Sequence, residues 1–116
     1  MDHILSPRVL GPIQELFSEE NIDQVNHILL NQCWKQLPGC EHWGPEQIER
    51  IHMAVLKLSA GDLDELDHAV ALAKQDWRDL LVAAGFANDP EAHRTWQPKP
   101  TNLDYHLLGV SLFFRD

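Results

Sequence analysis

"AGDLDELDHAVALAKQDWRDLLVAAGF", residues 60–86, is the most strongly patterned stretch of this chain. Leu63, Leu66, Val70, Ala73, Trp77, Leu80, Leu81 and Ala84 recur at three- and four-residue steps, which keeps them on one face of a helix for about six turns. Asp62 precedes Leu63 and is followed three positions later by Glu65, the spacing at which two side chains satisfy each other's free backbone N–H groups at a helix start. Asp64 and Asp67 add negative charge where the helix dipole favours it, and Gly85 supplies a left-handed residue for the stop. Asp76 with Asp79 reads as a second N-cap, so a break or kink is expected near Gln75. The acids of this stretch are caps and its leucines are core, which makes it scaffold rather than site.

Working back toward the start, Pro45 next to Gly44 opens a helix whose buried face is Ile48, Ile51, Val55 and Leu58, broadened by Met53, Ala54 and Leu56 and ended by Gly61. Before it, "LPGC" closes an amphipathic helix expected from Glu19 to Gln36, with Ser18 as its cap and Ile22, Val25, Ile28, Leu29 and Cys33 as its stripe. In "ILSPRVLGPIQELF", residues 4–17, Pro7, Gly11 and Pro12 interrupt the apolar residues, so only a marginal turn of helix is expected, over Pro12–Phe17. Beyond Phe86, "NDPEAHRTW" makes one more turn with Asp89 as cap and Pro90 first, and "QPKPTN" is an extended linker. The end alternates at Leu103, Tyr105 and Leu107 and again at Val110, Leu112 and Phe114, a period of two that argues for extended structure.

The expected architecture is therefore all-α: a single domain over residues 1–116, an antiparallel bundle of four to five helices, with residues 97–116 as a linker and a packed or exchanged extended tail. Hydrophobic residues at 44%, with four Trp and four Phe in 116 residues, suffice for one packed core. The formal charge is −9, from 18 Asp and Glu against nine Lys and Arg, and no two basic residues are adjacent, so nothing neutralises phosphates and nucleic-acid binding is not expected. No apolar run approaches the roughly 20 residues that span a bilayer, and no charged start leads into an apolar signal segment, so a cytoplasmic protein with reduced thiols and no membrane partner is the expectation.

The run "IHMAVLKLSAGDLDELDHAVALAKQDWRDLLVAAGF", residues 51–86, resembles a pattern that recurs in small uncharacterised bacterial helical proteins: a leucine-lysine-leucine helix end, a Gly-Asp-Leu turn and an Asp-aromatic-Arg-Asp-Leu segment. The resemblance covers about a third of the chain, consists of caps and core positions, and implies a helical fold without any functional residue.

Candidate chemistry is sparse. Cys33, Cys40 and His42 offer thiolates and an imidazole to zinc, but six residues separate the cysteines and no second pair exists, so no metal and no cofactor are expected. Gly-rich phosphate loops, H-E-x-x-H helices and calcium loops are missing from the sequence. Asp64 and His68, four apart on a helix, and His52 with Glu49 three residues before it are acid–imidazole pairs of the kind that orient a base, so His52, Asp64 and His68 are candidates for a pocket between helices. No nucleophile is placed to complete a triad. Among the tryptophans, Trp77 is in phase with the leucine stripe, whereas Trp34, Trp43 and Trp96 stand outside a single stripe. Such aromatics either cover bundle ends or mark an interface. The leading expectation is a non-enzymatic interaction module, self-associating as a homodimer or recognising another protein, through Trp43, Trp96, Tyr105, Val110, Leu112, Phe113 and Phe114. The alternatives are a small hydrolase or ligand-binding protein built on the inter-helix pocket, and an acidic inhibitor or immunity-type protein for a basic partner.

Overall fold

The computed structural model describes residues 5–34, 37 and 40–98. Five helices follow one another: α1 (Pro7–Leu16), α2 (Glu19–Gln32), α3 (Pro45–Ser59), α4 (Leu63–Ala84) and a short α5 (Ala92–Thr95), with a 3-10 turn at Cys40–His42 before α3. The described part is an all-α bundle, as the hydrophobic periodicity requires. The extended tail expected beyond residue 98, with Tyr105, Val110, Leu112, Phe113 and Phe114, lies outside the described residues.

The stretch that decides the fold behaves largely as its chemistry dictates. Asp62 Oδ1 accepts from the backbone N–H groups of Asp64 (2.8 Å) and Glu65 (3.1 Å), so the cap is real. The return half of the box does not form, because the Asp62 N–H donates to the Ser59 carbonyl and Glu65 turns to His68 instead. Asp76 sits at φ −163° and ψ 99° inside α4, and its Oδ1 accepts from the Arg78 N–H at 3.0 Å. The expected kink is therefore a second N-cap written into the middle of one helix. The core stripe of Leu66, Ala69, Val70, Ala73, Leu80, Leu81 and Ala84 stays in phase across it. At the far end the Gly85 N–H reaches the Val82 carbonyl and the Phe86 N–H reaches the Leu81 carbonyl, a Schellman closure in which Phe86 and Leu81 are both buried.

α3 is the centre of the bundle. Ile51 through Leu56 are buried without a break, more than one full turn, so the helix is covered all round rather than on one face. It packs chiefly on α4, and also on α1 and α5. The stripe expected from the sequence was correspondingly too narrow, and Leu58 is only half-buried. The chain leaves α3 through two left-handed residues, Ala60 (φ 50°) and Gly61 (φ 86°), where Gly61 alone was expected. Gly61 also lies against the last residue of α1: a Cβ there would meet the Leu16 carbonyl oxygen at 2.7 Å. The close reversal makes α3 and α4 antiparallel neighbours.

Three boundaries differ from the sequence reading, the smallest change being at α5, which begins at Ala92 with Glu91 at its N-cap rather than at Pro90 behind Asp89. α1 is a full ten-residue helix, because Ser6 caps it through the Arg8 N–H (3.2 Å), Pro7 occupies the first turn, and burying Val9, Pro12 and Ile13 offsets the backbone bond that Pro12 removes. α2 stops at Gln32 rather than Gln36, with Cys33 as its C-cap, and Ser18 makes no side-chain bond to its backbone. None of the described helices is long and apolar enough to cross a membrane.

Candidate functional site

The one deeply buried carboxylate among the described residues, Glu49, lies on the second turn of α3 and is 5% exposed. Two elements converge on it. Arg8 Nη1 of α1 donates to Oε1 (3.2 Å) and Oε2 (3.1 Å), and the Ser6 hydroxyl donates to Oε2 at 3.0 Å. From α5, His93 approaches Oε1 through Nε2 at 3.4 Å. Because a carboxylate only accepts, that nitrogen carries the proton, and Nδ1 of the fully buried His93 is left without a partner among the described residues. Burial pushes the Glu49 carboxyl up, but the Arg8 and Ser6 hydrogen bonds, the Arg8 charge and the His93 bond together hold it below its ordinary value. Glu49 is thus an ionised knot that ties the start of α1 and the start of α5 to α3.

One turn further along α3, His52 is 1% exposed and its Nε2–H donates to the Cys33 carbonyl at the end of α2, 3.1 Å away. Burial pulls His52 down to about 4, against the opposing pull of backbone carbonyls at Cys33 and Leu29. The imidazole is therefore neutral across the physiological range, and its ring stands edge-on to Trp34 with 6.1 Å between centroids. Cys33 is buried as well, and burial, only partly relieved by the charge of Lys74, raises its thiol to about 12.

Glu49 and His52 share a hollow of about 460 Å³ between the start of α1, the end of α2 and the first turns of α3. Its walls are Leu5, Pro7, Trp34, Trp43, Pro45 and Ile48, and its polar lining is Ser6, Glu49 and His52. A second hollow, of about 400 Å³, adjoins it across Trp34 and Trp43 and is completed by Leu37, Cys40 and Glu41. Both are of the size that receives a drug-like ligand or a pair of large side chains.

The acid–imidazole pairs read from the sequence are rearranged. Glu49 does not face its helical neighbour His52 but bonds His93, which is 44 residues away. Asp64 is exposed, and the mostly exposed His68 lies 3.6 Å from Glu65, in a shallow hollow with Leu58, Ala69 and Leu72 that shares no residue with the one lined by His52. The pocket expected from His52, Asp64 and His68 together is therefore not assembled. Sequence spacing alone does not group Ser6, Arg8, Glu49 and His93, which the fold brings together. The available signal was an acid inside the apolar stripe of α3, one residue past the buried Ile48.

The tryptophans outside the α4 stripe are partly buried. Trp43 packs edge-on against Trp77 (5.3 Å) and Trp96 against Phe86 (6.5 Å), and both rest on the core. Among the described residues no group of three or more His, Cys, Asp or Glu is arranged to hold a metal ion, and Cys33 and Cys40 are free thiols. Comparison with protein-family models, curated proteins and solved structures gives no match.

Proposed function

We propose that this protein is a non-enzymatic interaction module that receives an apolar segment of a polypeptide in the twin hollow around Trp34 and Trp43. One observation carries the reading: the hollow's polar lining is already committed to internal bonds, while its walls are apolar and aromatic. Ser6 caps α1 and donates to Glu49, Glu49 is neutralised by Arg8, and His52 holds the Cys33 carbonyl. A carboxylate kept ionised by a guanidinium is a weak base, and a serine that donates to it while capping a helix is not an activated nucleophile. Such a lining makes the first hollow a shaped, neutral, apolar surface rather than a reacting group, while the second adds the exposed Glu41 carboxylate. Two hollows flanking a shared aromatic wall suit an elongated occupant with side chains at intervals better than one compact molecule.

The test is selection from a random peptide library on immobilised protein, followed by nuclear magnetic resonance titration of the selected peptides. The reading expects peptides anchored by two apolar or aromatic residues, with amide shifts concentrated at Trp34, Trp43, Ile48 and His52. Failure to enrich any peptide, or shifts centred on the outer face of α4 around Val82, would overturn it.

A further inference from the structure

Resting on that reading, we infer that the occupant in the isolated protein is the chain's own C-terminal segment, Val110–Phe114. The chain reaches the end of α5 beside the hollow. His93 bonds Glu49, and Arg94 pairs with Glu46, which places α5 along the first turns of α3, where Pro45, Ile48 and Glu49 line the cavity. About a dozen residues then separate Pro98 from Val110, a tether of up to roughly 40 Å when extended, ample to turn back onto the same end of the bundle.

The segment's chemistry matches that of the first hollow. "VSLFF" carries no charge, and Lys99, Asp104, Arg115 and Asp116 around it cancel, so it brings nothing that would need to displace Arg8 from Glu49. Val110, Leu112 and Phe114 alternate in the sequence, so bound as a strand they would share one side, and five residues bound that way would run roughly 13–15 Å, a length suited to bridging two hollows that share a wall. Competition between own tail and a second copy is decided by concentration. A tether of this length holds the segment at an effective concentration on the order of millimolar, so a second copy displaces it only when the protein itself approaches that range. A partner of the module must then outcompete this tail, which makes the segment a built-in competitor at the site.

The experiment uses the full chain and its Leu112→Asp/Phe114→Asp variant, with Phe114→Ser as a milder second variant. Iodoacetamide labelling is read by peptide mass spectrometry at Cys40, which lines the second hollow, with buried Cys33 as the internal monitor of the fold. We expect Cys40 to label several-fold faster in both variants at every protein concentration, Cys33 to stay unlabelled, and a synthetic peptide of residues 102–116 added to the variant to restore protection. Equal rates in wild type and Phe114→Ser, with protection by the added peptide, would overturn the own-tail inference while leaving the docking site standing. Equal rates with no effect of the peptide would overturn both. Protection that grows with protein concentration alongside a dimer mass would assign the occupant to a second copy and also overturn it.

Discussion

Replacing His52 by Gln makes the protein more stable than wild type in mild acid and less stable at neutral pH. The ring is 1% exposed, donates to the Cys33 carbonyl and has its pKa drawn from 6.5 down to about 4 by burial. The unfolded chain therefore binds a proton below pH 6.5 that the folded chain refuses until about pH 4, so folding stability falls as pH drops through that window. At pH 4.5 the loss amounts to roughly 2–3 kcal/mol relative to pH 7.5. Gln keeps an N–H for the Cys33 carbonyl and does not titrate. It gives up the edge contact with Trp34 and some packing, about 1 kcal/mol at neutral pH. The stability difference between the two proteins should thus change sign between pH 7.5 and pH 4.5. Urea midpoints followed by far-ultraviolet circular dichroism at half-unit pH steps measure it, and the difference cancels titrations elsewhere in the chain. If wild type and His52→Gln lose stability in parallel, His52 is not held neutral by burial and the argument is refuted.

Three further outcomes follow from other parts of the structure. Glu49→Gln should lower stability at pH 7 by about 1–3 kcal/mol, most of it from the buried His93 bond and the part-buried Ser6 bond because Arg8 is half-exposed. Since the folded Glu49 pKa lies below 4.5, that difference is complete above pH 4.5 and disappears as wild type is protonated at lower pH, which thermal melts across the range would show. Gly11→Ala, in α1 with open space around it, should stabilise by about 0.5–1 kcal/mol, whereas Gly61→Ala should destabilise by more than that, because φ is +86° and the new Cβ meets the Leu16 carbonyl. A thermal shift of the same sign in both variants would contradict the geometry. In native protein a thiol reagent should modify Cys40 and spare Cys33, whose thiol is buried and raised to about 12, until urea unfolds the bundle; early labelling of Cys33 would show that the end of α2 opens.

The features legible from residue order are local. The cap at Asp62, the second cap at Asp76, the stop at Gly85 and the turn at Asp89 are each made by a side chain or glycine acting on backbone within a few residues. Short-range hydrogen bonds of this kind are fixed by residue type and spacing, so the helices of residues 45–95 and the all-α class were legible in advance. Where local signals conflict with packing, packing wins: Pro7, Gly11 and Pro12 argued against a helix, yet burial of Val9, Pro12 and Ile13 holds one. The tertiary structure alone decided that α3 is enclosed on every side, that Glu49 meets Arg8 and Ser6 rather than His52, and that Trp34 and Trp43 wall a hollow instead of standing free. Glu49's partners lie 41, 43 and 44 residues from it in the chain, and the short-range signal in α3, an acid among apolar residues one position past Ile48, does not say which donors will neutralise it. Only the placement of α1 and α5 against α3 makes burial of that charge tolerable, because it brings the donors that replace lost water.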